Sequence, residues 1–144
     1  MAAYVPINDW LANLVENADC ESDQFTVALS NTAPGAEGSP PTGDGDGVLA
    51  NVTEVSYADC SSRNITTTSS GQTAGTYSLI LVDLVLTSSG TVGPFRYVYI
   101  YDDTVAAPAD PLVCYYDYNS SITLASGETL TINFDAVNGL FQLS

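Results

Sequence analysis

Apolar residues recur at every second position along most of this chain, and at helical spacing in one short stretch. The helical stretch comes first. In residues 6–18, PINDWLANLVENA, Trp10, Leu11, Leu14 and Val15 form a stripe completed by Ala18, Asn8 or Asp9 stands where a cap belongs, and Glu16 and Asn17 face outward. One short amphipathic helix is predicted. QFTVALS, residues 24–30, alternates Phe25, Val27 and Leu29 with polar partners, which is the period of a half-buried strand. A short strand is expected around Val52 to Tyr57. TYSLILVDLVLTS, residues 76–88, has apolar side chains on both faces, which predicts a single central strand covered on both sides. Further strands are read at 95–103 (FRYVYIYDD), 112–118 (LVCYYDY), 120–124, 128–136 (ETLTINFDA, with Leu130, Ile132 and Phe134 inward) and in the closing LFQLS.

Between the first strand and Val48 the pattern lapses. Residues 31–47, NTAPGAEGSPPTGDGDG, hold five glycines and three prolines in seventeen positions and no large apolar residue, so they read as a surface loop or arm suited to contacting a neighbour. Short strands, regular turn signals and a single helix predict one all-β domain over 1–144, an antiparallel β-sandwich, jelly roll or related barrel with a short N-terminal helix.

Charge narrows the function. The 144 residues contain 17 acids against Arg63 and Arg96, with no lysine and no histidine, for a net charge of -15. Two cations cannot neutralise a series of phosphates, and anionic membranes attract polybasic segments, so neither nucleic acid nor a membrane is expected as a partner. With 45% apolar and 13% charged residues the chain is nevertheless too hydrophobic for a disordered acidic tail. The N-terminus has no cation and is interrupted by Pro6, Asn8 and Asp9, unlike a secretory signal, and the run Leu79 to Leu86 is broken by Asp83 and far short of the ~20 residues of a membrane helix. A soluble, unexported protein is expected. Cys20, Cys60 and Cys114 lack CxxC spacing and read as small buried hydrophobes.

Candidate chemistry is sparse. Asp44 and Asp46 in GDGDG offer carboxylates to Ca²⁺, but Val48 and Val55 occupy positions where a calcium loop needs oxygen donors; the competing reading is a solvated acidic turn. Tyr101-Asp102-Asp103-Thr104 is a similar case, where paired Asp residues more commonly end a strand and cap a turn. No pair of the 17 acids is marked out for glycosidase work, and the Ser and Thr hydroxyls have no histidine to activate one, so no catalytic residue, cofactor or enzymatic activity is expected. Sequons at Asn51, Asn64 and Asn119 are about as frequent as chance predicts. Two features are more unusual. Tyr97, Tyr99, Tyr101, Tyr115, Tyr116 and Tyr118 form a stripe on two neighbouring strands, either an interface or a set of rings capping the core. Arg96 lies inside an apolar strand and is expected to pair with an internal carboxylate, Asp117 or Asp83, although a pair between subunits would look the same.

The segments FTVALSNTAP, VLANVTEVSYADCSSRNITTTSSGQTAGTYSLIL, GPFRYVYIYDDT, DPLVCYYDYNSSITLASGETLTINFD and GLFQLS, after an N-terminal helix, resemble a family of small tailed-bacteriophage virion proteins, read mostly as head decoration or cement proteins. The likeness spans roughly residues 8 to 144, with its most specific blocks at Gly93 to Thr104 and Asp117 to Asp135. The resemblance implies an all-β protein on the outer capsid surface, assembled in the host cytoplasm, with the major capsid protein and itself, as trimer or dimer, for partners. A minor tail or fibre-associated virion protein is the alternative, and a host-facing adhesin or carbohydrate-binding module stands third.

Overall fold

The computed structural model describes residues 2–35 and 46–144. In chain order it contains β1 (Tyr4–Pro6), α1 (Trp10–Glu16), β2 (Phe25–Ser30), a 3-10 turn at Leu49–Asn51, β3 (Thr67–Thr73), β4 (Thr76–Leu81), β5 (Leu84–Thr87), β6 (Val92–Asp102), β7 (Leu112–Leu124), β8 (Thr129–Ile132) and β9 (Phe141–Leu143). These build a four-stranded sheet β1-β7-β6-β2, a three-stranded sheet β3-β4-β9 and a two-stranded ribbon β5-β8, with antiparallel pairing in each. Phe25, Val27, Val98 and Ile100 of the large sheet share one apolar cluster with Leu79 and Leu81 of the second and Leu86 and Ile132 of the third. The fold is an all-β antiparallel sandwich with one short helix.

The centre of the large sheet is β6. It pairs with β2 from Ser30↔Tyr97 to Phe25↔Asp102 on one edge and with β7 on the other, and Val98, Tyr99 and Ile100 are fully buried. All six residues of β2 are buried too, where alternation predicted a half-buried strand. The reason lies in segment 54–65, which runs along the outer edge of β2. There Val27 N–H donates to the Arg63 carbonyl (3.0 Å), Ile65 N–H to Phe25 (2.9 Å) and Val55 N–H to Leu29 (3.0 Å). The polar face of β2 is satisfied locally, with the Ser30 hydroxyl donating to the Thr53 carbonyl at 2.6 Å. The strand expected at Val52 to Tyr57 is corrected: those residues contribute a single bridge, Ser30↔Glu54, and otherwise run irregularly.

The predicted central strand over 76–88 is two strands in different sheets. In β4 the odd positions Leu79 and Leu81 are buried, whereas in β5 the buried residue is Leu86, and Val82 (47% exposed) and Asp83 form the step between them. A pattern apolar on both faces therefore records a change of phase between two one-sided strands. Asp83 fixes the step by accepting the Phe134 N–H at 2.7 Å. Conversely, the strands read at 112–118 and 120–124 are one, β7, which continues through Asn119 in the left-handed region (φ 62). The Ser/Thr-rich stretch before Tyr77 contains β3, joined to β4 by Ala74 (φ 51) and Gly75 (φ 85), a two-residue turn of the primed kind.

The helix is shorter than its sequence stripe. Trp10 is buried edge-on between Phe25 and Phe141, each at 6.2 Å, while Leu11 (64%) and Val15 (82%) are exposed. Nor does Asp9 cap it: the carboxylate accepts the Gly47 N–H at 2.8 Å, holding the end of the glycine-rich stretch against α1.

The last strand hangs on Gly139. The Asp135 carboxylate gathers the N–H groups of Val137 and Asn138 (2.8 Å each), Gly139 turns with φ 81, and Leu140 N–H then donates to the Leu79 carbonyl at 2.7 Å, seating β9 on β4. A Cβ at position 139 would run into that carbonyl. Gly139→Ala is expected to cost more than about 1 kcal/mol in urea unfolding, because it combines a positive φ with a backbone collision. An unchanged midpoint would contradict this seating of β9.

Candidate functional surface

Both arginines are held within the chain. Arg96 Nε and NH2 meet the two carboxylate oxygens of Asp117 at 2.7 and 2.8 Å, a fork between β6 and β7, and Asp117 also accepts the Asn119 N–H at 2.7 Å. Of the two carboxylates considered for Arg96, the partner is Asp117; Asp83 serves the Phe134 N–H instead. The hydrogen bonds from Arg96 hold the Asp117 carboxyl below the usual carboxylate range. The pair is half-exposed, and salt and solvent screen it. Arg63 is more enclosed. Its guanidinium lies 3.7 Å above the Tyr57 ring, donates to the Val27 carbonyl and reaches Glu54 at 3.5 Å. The Tyr57 hydroxyl donates to Glu54 at 2.6 Å and accepts the Leu29 N–H at 2.8 Å, so ring, cation and carboxylate fasten segment 54–65 to β2. Burial comes first among the causes that push the Tyr57 hydroxyl upward in pKa.

Most of the tyrosine stripe belongs to the core. Tyr97, Tyr99, Tyr101 and Tyr116 are buried, and Tyr115 and Tyr118 are half-buried, so the first four offer no contact surface. Central position explains it, since β6 and β7 lie inside the sheet. The Tyr99 hydroxyl finds its partner within the chain, donating to the Thr32 carbonyl at 2.8 Å.

Asp44 lies outside the described residues. The Asp46 carbonyl accepts from Val48 N–H (2.9 Å) and from the Asn51 amide (2.8 Å), which ties the turn to the 3-10 helix. Among the described residues, three or more His, Cys, Asp or Glu side chains nowhere converge as a metal would require. In Tyr101-Asp102-Asp103-Thr104, Asp102 ends β6 and caps the following turn, its Oδ1 accepting from Thr104 N–H (3.0 Å) and Val105 N–H (3.3 Å). Its second oxygen is buried without a donor, and the neighbouring acid is Asp23. Burial, reinforced by Asp23, pushes Asp102 up to about 6. The cysteines are free: Cys114 is fully buried, Cys20 nearly so and Cys60 half-buried, and burial pushes all three thiols upward, Cys20 to about 11.

Two open grooves flank the β3–β4 hairpin. One, about 700 Å³, runs between α1 and β3 past Leu14, Val15, Tyr77 and Leu143. The other, about 520 Å³, lies on the outer face of the hairpin and is lined by hydroxyls, amides, Ile80 and Val137. Neither brings together a nucleophile, a base and an oxyanion donor. Sequence reading missed this surface because β3 is built of Ser, Thr, Gly and Gln; the usable signal was Ala-Gly between two β-branched threonines. No family model, curated protein or solved structure matches the chain.

Two outcomes follow from this geometry. Arg63→Gln is expected to lower stability by about 1–3 kcal/mol, since it leaves Glu54 and the Val27 carbonyl without their cation, and to cost more than Arg96→Gln, whose site is solvated; chemical denaturation compares them. Because the folded-state pKa of Asp102 is raised, its contribution is fully present below the ordinary carboxylate pKa and is lost as pH rises through about 6. Stability measured from pH 4.5 to 7.5 should therefore fall by about 2 kcal/mol on account of this group, and Asp102→Asn should flatten that fall. A parallel pH profile in the variant would rule Asp102 out as the source.

Proposed function

We propose that this chain is a structural protein of a tailed-bacteriophage virion, a head decoration or cement protein that seats on the outer capsid shell and acts by binding alone. The observation that carries the reading is the disposition of charge. Arg96 is engaged by Asp117, and Arg63 by Glu54 and Tyr57, so a chain of net charge -15 turns an anionic exterior outward over a rigid β body. Such an exterior complements a basic outer patch on a shell, guides many copies towards it and keeps unbound copies apart. A packaged genome presses outward on its container, and a bound protein that bridges adjacent subunits opposes that pressure through added interface without any reaction. The likeness of Gly93 to Thr104 and Asp117 to Asp135 to virion proteins points the same way; these blocks cover most of β6 and the second part of β7 with β8.

Quantitative mass spectrometry of purified particles tests the proposal. The chain should be present at a copy number comparable with that of the major capsid protein, should be released by raised salt, and particles lacking it should lose DNA at lower temperature. A few copies confined to the tail would assign it to the tail or fibre instead, and absence from particles would end the reading.

A further inference from the structure

We propose that two copies of the chain associate through the free edge of β3, Thr67–Thr73 lying antiparallel to its symmetry mate, so that two three-stranded sheets become one of six, β9-β4-β3-β3-β4-β9. This goes beyond the capsid reading and does not depend on it.

The first support is the inventory of sheet edges. The outer edge of β2 is covered by segment 54–65, and β5 is flanked by Cys60 and Ser61, which bridge Ser88 and bond to Thr87. The remaining edge strands β1, β8 and β9 have only three or four residues each. The outer flank of β7 beyond Tyr116, residues 117–124, is also unpaired by β1 but carries Asp117, and Asn119 in the left-handed region, so among the described residues β3 is the uncharged seven-residue edge strand with no strand on its outer side. Apart from a register irregularity between Thr67 and Ser69, it lacks the devices that normally guard an edge, since TTSSGQT holds no charge and no proline. Thr73 and Thr76 flank a two-residue turn and therefore form a hydrogen-bonded pair, which directs the N–H and C=O of Ser70 and Gln72 away from β4. A second strand would find donors and acceptors at the correct repeat.

Charge selects the occupant. In pairing about a two-fold axis each edge side chain meets a residue of the same strand, so a self-complementary edge has to be uncharged. Between Asp59 and Asp83 the sequence contains no acid at all, although 17 are spread over the rest of the chain. The hairpin is where two chains of charge -15 can approach with no carboxylate on the meeting strands, and Thr and Ser hydroxyls can pair across the seam. The apolar complement lies alongside. Val15, 82% exposed, and Leu143, 42% exposed, line the groove beside β3 over which the mate's strand would run, with Asp19 and Glu21 of the loop after α1 as the carboxylates in that groove.

Sedimentation equilibrium of the purified chain is the test, with half-dimerisation expected between about 1 and 100 μM. Dimerisation should strengthen with added salt, which screens like charges elsewhere, whereas an interface held by ion pairs would weaken. Ser70→Pro removes one outward N–H, and Gly71→Glu adds a carboxylate where a Cβ meets open space, so the fold tolerates it while the mates repel. Each should raise the dissociation constant at least tenfold with an unchanged far-ultraviolet spectrum. A monomer throughout that range, or a dimer indifferent to Gly71→Glu, would overturn the proposal. The capsid reading fails separately: a monomer abundant on particles removes only the pairing, and a dimer missing from particles removes only the capsid role.

Discussion

Everything in this molecule is arranged around a strand that cannot stand by itself. β6 is apolar on both faces, so it needs a neighbour on each edge and a layer on each side before its backbone and side chains are jointly satisfied. β2 and β7 supply the edges. The second and third sheets contribute Leu79, Leu81, Leu86 and Ile132 to the shared core, and segment 54–65 covers the exposed flank of β2. The tyrosines of β6 and β7 follow from the same constraint: a ring with a polar tip can fill a sandwich interior when its hydroxyl reaches a carbonyl at the margin, as Tyr99 does with Thr32.

Charge acts on a second level. A fold with so many carboxylates and two guanidiniums has to place those two where chain segments are hardest to hold. Arg63 fastens an irregular segment to the edge of β2, and Arg96 spans a register irregularity between β6 and β7, where Phe95↔Ile122 is followed by Tyr97↔Asp117. With both cations committed internally, attraction towards other molecules is left to the carboxylates, and the uncharged hairpin offers contact of another kind.

Fold class was legible because period-2 patterning survives in QFTVALS and FRYVYIYDD, and because a single stripe around Trp10 marks the helix. What was illegible has physical causes. Leu79 to Leu86 conceals two strands because the inward side switches at Val82 and Asp83, and periodicity alone cannot separate a phase change from burial on two faces. Leu11 and Val15 look like core residues from their spacing, yet only a narrow face of a seven-residue helix is covered. β3 was invisible because hydroxyl-rich strands carry no apolar alternation and take their order from the partner strand. The Arg96 pairing could be narrowed to two carboxylates from the sequence, whereas the singular position of Asp102 depends on Asp23, which is 79 positions away and becomes a neighbour only in the folded sheet.

The graded burial of the three sulfur atoms gives the sandwich an internal depth gauge. Cys60 lies near the surface, Cys20 is buried within the loop that follows α1, and Cys114 sits near the start of β7 with no exposure to solvent. An alkylating reagent would reach them in that order, and modification of the deepest thiol would require the whole β-sheet to part. The protein thereby reports, through its own side chains, whether a given disturbance loosens the periphery or opens the centre.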